Sequence, residues 1–277
     1  MVECRTRIAI PTMGKSHKPK KAVISASAGW LPIMDIMLTR LLAIAGFDPS
    51  AGAGLLADIK AFEHCNVYGQ AVCTALTVQN EEHFEKTNWL AWKQIKSQLQ
   101  ILSKTGDFNY AKIGLVENPK TLENIFKWLR KKYPNIFIIW DPILKASSGF
   151  EFHRQNAVSW RKLMTYANLI TPNLPEAEFL GISKGSVKTA VLVKGGHSDR
   201  DEDLLFLPGS PAPIKFKFKR VKNVEKHGSG CVLSSLILAN ILKYNDLEKA
   251  IRKSKKSMRF FFKNGCGKLG ALRCYSA

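Results

Sequence analysis

Short apolar stretches alternate with stretches of helical periodicity from residue 41 to residue 245. The stretch LLAIAGFD (41–48) is almost wholly apolar, which is typical of a strand buried on both faces. Helical spacing of apolar residues follows in AGAGLLADIKAFEHC (51–65). This alternation predicts an α/β fold whose mostly parallel central sheet is covered by helices on both faces. The later predicted strands are 68–80, 110–116, 135–144, 167–173 and 189–196, and the later predicted helices are 91–106, 119–134 and 230–245.

The carboxyl ends of the predicted strands carry many of the candidate functional residues. In an open parallel α/β sheet, ligands bind in the crevice beyond these ends. We therefore expect the chemistry of this chain at one edge of the sheet. The residues at the strand ends are Gly46, Phe47, Asp48, Gln79, Asn80, Gly114, Asp141, Asn173, Lys194, Gly195 and Gly196.

The stretch KHGSGCVLSS (226–235) places glycines and a cysteine where a long apolar helix is predicted to begin. The first turn of a helix leaves backbone N–H groups without partners and carries partial positive charge, so Gly228, Ser229 and Gly230 can form a cradle for phosphate oxygens. Cys231 lies in the same turn, where the pKa of a thiol is expected to be lowered and the thiolate could accept a proton. The alternative interpretation is a glycine turn that caps a core helix, with Cys231 as a small buried residue.

A second glycine-rich stretch, PSAGAG (49–54), follows the first predicted strand and precedes a helix. It matches neither the dinucleotide-binding pattern GxGxxG nor the phosphate-binding loop GxxxxGK[ST]. Two helix starts with glycines indicate an anionic ligand, or two ligands.

Carboxylates and one lysine at the later strand ends are candidates for metal and phosphate binding. Asp141 and Glu176 could hold Mg²⁺ or a water molecule, and Asn173 lies three residues before Glu176. Lys194 could meet a nucleotide phosphate as a point charge. Each also has a purely structural interpretation. Asp141 could cap the next turn, Glu176 could belong to a helix start, and Lys194 could be part of a common Lys-Gly-Gly turn. Because His227 has no obvious acidic partner in the sequence, we expect it only to shape its loop.

The net charge of +20 is concentrated at the two ends of the chain. Residues 1–40 contribute 7 − 2 = +5 and residues 241–277 contribute 10 − 2 = +8. We interpret these ends as solvated and expect no nucleic acid partner. The six cysteines form no CxxC pair, which favours a reducing, cytoplasmic compartment. No apolar run reaches about 18 residues, so the sequence predicts no membrane span.

Residues 1–36 differ in composition from the rest of the chain, since they are basic and rich in Ser and Ala, with scattered prolines. We expect an N-terminal extension that is disordered or non-native, and a transit-like or secretory segment remains the alternative. Residues 37–277 are expected to form a single domain with Met37 as the functional start.

Seven blocks occur in one order: AGFDPSAGAGLLADIKAF, YGQAVCTALTVQN, AKIGL, DPILKASSG, LITPNLPEAE, VLVKGGH and HGSGCVLSS. Together they resemble the hydroxymethylpyrimidine/phosphomethylpyrimidine kinase family of thiamine biosynthesis, in the ribokinase-like superfamily. The resemblance implies a three-layer αβα sandwich, usually dimeric. It also implies phosphorylation by ATP and Mg²⁺ of 4-amino-5-hydroxymethyl-2-methylpyrimidine and then of its monophosphate.

The resemblance also implies roles for individual residues. Gln79 would pair with the ring nitrogen and the amino group of the pyrimidine, because an amide is both donor and acceptor. Cys231 stands where the family has its catalytic cysteine, and the amides of Gly228, Ser229, Gly230 and Cys231 would form the anion hole. The remaining implied roles are substrate binding by Gly46, Asp48, Ala53, Leu115 and Ile143, nucleotide binding by Lys194, Asn173 and Lys226, and metal binding by Asp141 and Glu176.

Three features depart from the family pattern. The connection between Leu180 and Thr189 is short, and the segment after Asn264 has no clear counterpart. Lys226 replaces a common Thr, where it either contacts phosphate or is simply tolerated. Two alternatives to the pyrimidine kinase stay open: a pyridoxal-type vitamin kinase, and a non-catalytic ligand- or nucleic-acid-binding protein with the same fold.

Overall fold

A computed structural model describes residues 40–144, 157–182, 187–195, 201–219, 221 and 224–273. The predicted domain boundary at residue 37 lies outside these residues, as do His197 and part of the short connection between Leu180 and Thr189.

The described residues form one sheet of nine strands in the order β3-β2-β1-β4-β5-β6-β7-β8-β9. The six central strands are parallel, whereas β3, β8 and β9 are antiparallel to their neighbours. The predicted mostly parallel sheet is therefore confirmed. The bounds are β1 Arg40–Phe47, β2 Tyr68–Gln79, β3 Phe84–Trp89, β4 Tyr110–Ile113, β5 Phe137–Trp140, β6 Leu169–Ile170, β7 Ala190–Val193, β8 Glu202–Phe206 and β9 Ile214–Lys217.

Helices cover both faces of the sheet. Their bounds are α1 Gly54–His64, α2 Trp92–Leu102, α3 Pro119–Lys132, α4 Ala157–Arg161, α5 Leu174–Phe179, α6 Ser229–Tyr244 and α7 Leu247–Lys263, with a short 3-10 helix at Met164–Tyr166. Within the part of the chain that the structure describes, none of these helices is long and apolar enough to span a membrane.

The two faces of β1 belong to two separate cores. Leu41 and Ala43 pack in a cluster with α1, α6 and α7, whereas Leu42 and Ile44 pack in a cluster with α2 and α3. Successive side chains of a strand point to opposite faces, so a strand between two helical layers must be apolar at every position. This arrangement confirms the three-layer αβα sandwich and explains the uninterrupted apolar run of β1.

The sequence patterns missed the three antiparallel strands and α7. The segments FEKTNW of β3 and IKFK of β9 mix charged and apolar residues because these two edge strands face solvent. The segment EDLLF of β8 begins with two acidic residues, which are buried between its neighbouring strands and helices. The helix α7 carries its apolar residues on a single face and is otherwise basic. Mixed strand sequences and a largely basic helix are harder to recognise in a sequence than the long apolar runs of the central strands.

Candidate active site

The two glycine-bearing helix starts meet at the carboxyl edge of the sheet. Gly228 caps α6 with a φ of 69°, in the left-handed region that favours glycine. A Cβ atom at Gly228 would overlap the carbonyl oxygen of Gly52 and crowd the Cα of Ala53. A side chain at residue 228 is therefore incompatible with the close contact between the two loops.

The first turn of α6 presents free backbone donors beside Cys231. Gly228 makes no side-chain capping bond, and the amides of Gly230 and Cys231 precede the point at which intrahelical hydrogen bonds begin. The backbone N–H of Gly54, the first residue of α1, lies on the other side of the thiol and acts to lower the pKa of Cys231. The thiol thus lies between two helix N-termini.

Burial changes the acidity of Cys231 in the direction opposite to our expectation. The side chain is 7% exposed, and burial raises the pKa of Cys231 to about 11, although the nearby Lys112 ammonium lowers it. The prediction of a lowered pKa is therefore wrong, because loss of water opposes the thiolate more strongly than the helix start favours it.

A buried ion pair lies close to Cys231. The ammonium of Lys112 on β4 donates to both carboxylate oxygens of Asp58 on α1, at 2.7 and 2.9 Å, and both side chains are fully buried. The hydroxyl of Ser235 donates to the same carboxylate at 2.7 Å. Burial opposes the charge of Lys112, yet Asp58, Cys231 and Asp141 hold its pKa above the ordinary value.

Asp141, which follows β5, accepts hydrogen bonds from three elements. It accepts from Lys194 Nζ at 2.7 Å, from Thr171 Oγ1 at 2.9 Å and from Ser234 Oγ at 3.1 Å. The ammonium of Lys194 also lies next to Gly230, where an added Cβ would be 3.1 Å from Nζ. Asp141 therefore holds a cation at the first turn of α6.

Asn173 and Glu176 form a capping box at the start of α5. The Asn173 side chain accepts from the Glu176 amide at 2.9 Å, and Glu176 Oε2 accepts from the Asn173 amide at 2.7 Å. Burial raises the pKa of Glu176 to about 7, against the opposing effect of Lys194. The interpretation as a helix start is thus correct, and it leaves Glu176 on the wall of the same cavity.

The carboxylates of this region are a suitable donor set for Mg²⁺. Among the described residues, no group of three or more His, Cys, Asp or Glu side chains is placed to enclose a metal ion. Asp141 and Glu176 nevertheless line one cavity, and Mg²⁺ commonly uses one or two carboxylates together with water and substrate phosphates. A carboxyl group with a pKa near 7 is also readily ionised by a nearby divalent cation.

His227 has an acidic partner that its sequence neighbours do not show. Its Nε2 lies 2.9 Å from Asp48 Oδ2, and both side chains are buried. Asp48 also accepts from the amide of Ala53 at 2.8 Å and from the hydroxyl of Ser50 at 2.9 Å. Burial alone would raise the pKa of Asp48, but His227 and these donors hold it below the ordinary value.

The residues proposed from the sequence surround one cavity of about 680 Å³, within the usual range of ligand sites. Leu115 lies against Gly46, where an added Cβ would be 3.1 Å from the leucine side chain. The lining includes Gly46, Asp48, Ala53, Gln79, Leu115, Asp141, Ile143, Asn173, Glu176, Lys194, Lys226, Gly228, Ser229, Gly230 and Cys231.

The sequence analysis missed supporting residues of this site. Lys112, Thr171, Ser234 and Ser235 make the buried hydrogen bonds described above. They lie within the quoted motifs, but nothing in the sequence distinguishes them from their neighbours. The ammonium of Lys226, a residue of the cavity lining, donates to the carbonyl oxygens of Gly267 and Leu269.

Solved structures share the fold of this chain. A crystal structure of phosphomethylpyrimidine kinase from Clostridium difficile 630 aligns with a TM-score of 0.66 and 30% identity, covering 79% of this chain and 97% of that one. The pyridoxal kinase of Staphylococcus aureus, in its complex with pyridoxal, aligns with a TM-score of 0.71 and 24% identity, covering 83% of this chain and 89% of that one. The latter likeness concerns the fold alone.

Sequence comparison identifies the family more narrowly. A hydroxymethylpyrimidine/phosphomethylpyrimidine kinase from Aquifex aeolicus is 36% identical over 240 residues, covering 80% of this chain and 94% of the relative. The protein of the same name from Staphylococcus aureus strain MRSA252 is 32% identical over 236 residues, covering 78% and 84%. The phosphomethylpyrimidine kinase family profile matches residues 48–267. These matches confirm the predicted resemblance and the ribokinase-like fold, and this chain belongs to the phosphomethylpyrimidine kinase family.

Proposed function

We propose that this protein transfers the terminal phosphoryl group of ATP to the hydroxymethyl group of 4-amino-5-hydroxymethyl-2-methylpyrimidine. The same site then phosphorylates the monophosphate to the diphosphate. The observation that carries this proposal is the meeting of the first turn of α6, Cys231 and the Lys194–Asp141 pair on one cavity.

The amides of the first turn of α6 stabilise the negative charge of the migrating phosphoryl group. Phosphoryl transfer requires little covalent chemistry from the protein, so most of the rate acceleration comes from position and charge. Backbone donors held by the contact between Gly228 and Gly52 need not rearrange during the reaction. Lys194, which lies next to Gly230, adds a positive charge on the nucleotide side.

Cys231 accepts the proton of the substrate hydroxyl. With a pKa near 11 the ionised form is a small fraction at neutral pH, and the Lys112 ammonium supports that fraction. We therefore expect kcat to increase with pH through at least pH 9, until another step limits the rate.

The pyrimidine occupies the part of the cavity between β1, β2 and β4. Gln79 stands at the end of β2 and supplies a donor and an acceptor for the amino group and the ring nitrogen. Gly46, Leu115 and Ile143 provide the adjacent walls. Asp48 contributes indirectly in this arrangement, because its carboxylate already binds the loop that contains Ala53.

ATP would lie towards Asn173 and Lys194, and Asp141 and Glu176 would hold Mg²⁺. The ion would supply positive charge that offsets the charge of the transferring phosphate. Within the protein, the capping box of α5 holds Glu176 in position, and Thr171 and Ser234 orient Asp141.

We also propose a homodimer that acts in the cytoplasm. Leu76 and Val78 are exposed and two residues apart on β2, so they form an apolar patch on one face of the strand that a second copy would cover. Light scattering during size-exclusion chromatography tests the dimer. A cytoplasmic location fits a reaction that requires ATP and a free thiol at Cys231.

The decisive experiment supplies the purified protein and Mg-ATP with either the hydroxymethylpyrimidine or pyridoxal. We expect the pyrimidine monophosphate first and the diphosphate later, with pyridoxal consumed much more slowly. The variant Cys231→Ala should bind ATP normally and lose about 10²–10⁴-fold in kcat. Faster consumption of pyridoxal than of the pyrimidine would contradict the proposed substrate. An unchanged kcat in Cys231→Ala would contradict the proposed role of the cysteine.

A further inference from the structure

The C-terminal segment, residues 264–273, folds back from α7 onto the loop that precedes α6. Three consecutive carbonyl groups of this segment accept hydrogen bonds from two consecutive residues of the loop. Lys226 Nζ donates to the Gly267 oxygen at 2.6 Å and to the Leu269 oxygen at 3.1 Å. The backbone N–H of His227 donates to the Lys268 oxygen between them, at 2.8 Å.

The C-terminal segment is itself held by the body of the protein. Leu272 is buried in the core cluster formed with α1, α6 and α7. The amide of Ala271 donates to the Asn264 oxygen at 3.2 Å, which closes the segment into a loop. Gly270 lies so close to the ring of Phe261 on α7 that an added Cβ would overlap it. The C-terminal segment is therefore fixed to the rest of the protein, and it can hold in place the loop residues that contact it.

The same loop residues lead directly to the anion-binding amides. His227 connects the C-terminal segment to Asp48 through its ring, at 2.9 Å, and Gly228 begins the turn that holds the donors. The side chain of Leu269 also reaches Gly52, where an added Cβ would be 2.8 Å from Leu269 Cδ2. The C-terminal segment thus contacts both glycine-bearing loops.

We infer that Lys226 is a positioning residue, which braces the phosphate-binding turn of α6 against the C-terminal segment. Two of the three donors of the Lys226 ammonium already bind carbonyl oxygens, so this side chain is held in place without a phosphate. Its removal loosens the turn and displaces amides that must point at the transferring group. The inference rests on the proposed kinase function, and it assigns Lys226 a role different from the nucleotide binding expected from the sequence.

The first test compares Lys226→Met with Lys226→Arg. Loss of the brace should lower kcat by about 10–100-fold, because small displacements of positioning groups have large effects on rate. The Kd for ATP, measured by calorimetry, should change less than twofold. The arginine variant, which can still donate to carbonyls, should regain most of the rate. Lys263→Met is the matched control, since this lysine is exposed next to the same segment and is not part of the cavity lining, so its kcat should be unchanged.

The second test disturbs the brace from the other side. Gly265 has a φ of 108°, and an added Cβ would overlap the Leu269 oxygen, so Gly265→Ala should distort the carbonyl cluster. Gly267→Ala is its control, with a φ of 51° and no atom within 4 Å of the added Cβ. If Lys226 acts through this segment, the double variant Lys226→Met/Gly265→Ala should lose no more kcat than the worse single variant.

Hydrogen exchange of the protein without ligand gives a readout that does not depend on activity. The amides of residues 228–231 should exchange at least fivefold faster in Lys226→Met and in Gly265→Ala than in the wild type. An inactive wild-type protein would contradict the proposed function. Faster exchange of amides 228–231 in the two variants would support the brace even in that case. A weakened Kd for ATP with unchanged exchange, or multiplicative losses in the double variant, would overturn the inference.

Discussion

His227 Nε2 lies 2.9 Å from Asp48 Oδ2, although 179 residues separate the two in the chain. The pair joins the loop before α1 to the loop before α6, and both loops line the candidate active site. Because both side chains are buried, water competes little for this hydrogen bond. This pair is therefore one of the contacts that fix the relative position of the two helix starts, together with the close approach of Gly228 to Gly52.

The first prediction concerns the charge of Asp48. Asp48→Asn should lower the free energy of unfolding by about 1.5–3 kcal/mol at pH 7, the usual range for hydrogen bonds to a charged group. Folding holds the pKa of this carboxyl below 3.8, so the carboxylate stabilises the protein above that pH. Its contribution is lost as the pH falls through the lower pKa of the folded state.

Urea unfolding at several pH values between 7 and 3 measures this difference. The gap between the wild type and Asp48→Asn should be constant down to about pH 4 and then narrow. Substitution of the exposed Asp107 by Asn serves as a control and should have little effect. A gap that widens in acid would contradict the assigned charge.

The second prediction concerns Gly228, where a side chain would both meet the neighbouring loop and strain the backbone. The experiment separates these two effects. Gly228→Ala should lower kcat by about 10²–10³-fold, the loss seen when an anion-hole donor is removed, because its Cβ would push apart the two glycine-bearing loops. Gly209→Ala is a matched control: its φ is 73°, but nothing lies within 4 Å of the added atom. Steady-state kinetics should show that only the first variant is impaired, and equal losses would contradict the prediction.

The third prediction concerns the thiol of Cys231. Since its pKa is about 11, its rate of reaction with iodoacetamide should rise about tenfold per pH unit between pH 7 and 9. Peptide mapping by mass spectrometry isolates this thiol from the other free cysteines. A rate that reaches a plateau below pH 9 would instead indicate that the helix start lowers the pKa, as the sequence alone suggested.

The fourth prediction concerns the buried pair of Lys112 and Asp58. Lys112→Met should destabilise the protein by about 3–5 kcal/mol, because it leaves a buried carboxylate without its cation. The double variant Lys112→Met/Asp58→Asn should regain much of this loss. The control Lys127→Met removes an equally short but exposed pair with Glu123 and should have a far smaller effect in thermal unfolding. Similar losses from the buried and the exposed pair would contradict this account.

The sequence predicted the central strands and the approximate positions of the helix starts because strong local patterns encode them. Strands buried between two helical layers are continuously apolar, and glycines before a helix mark the turns at Gly54 and Gly228. The edge strand β9 carries no such pattern because its lysines face solvent, and the apolar run of β8 is interrupted by two buried acidic residues, Glu202 and Asp203. The helix α7 was missed for a related reason, because its basic residues obscure the apolar face.

The long-range partners of the site residues could not be predicted, because these pairs join distant segments. Nothing near His227 in the chain indicates Asp48, and nothing near Lys226 indicates the carbonyl of Gly267. The acidity of Cys231 depends in the same way on the depth of its burial and on Lys112.

The amino-acid sequence by itself determined the α/β alternation, the family and part of the set of residues that line the cavity, because local periodicity and short ordered motifs carry that information. Only the tertiary structure decided which donors meet which acceptors and how much water remains around each charge. Hydrogen bonding and desolvation act through space at distances of a few ångströms, and the order of residues along the chain does not specify those distances.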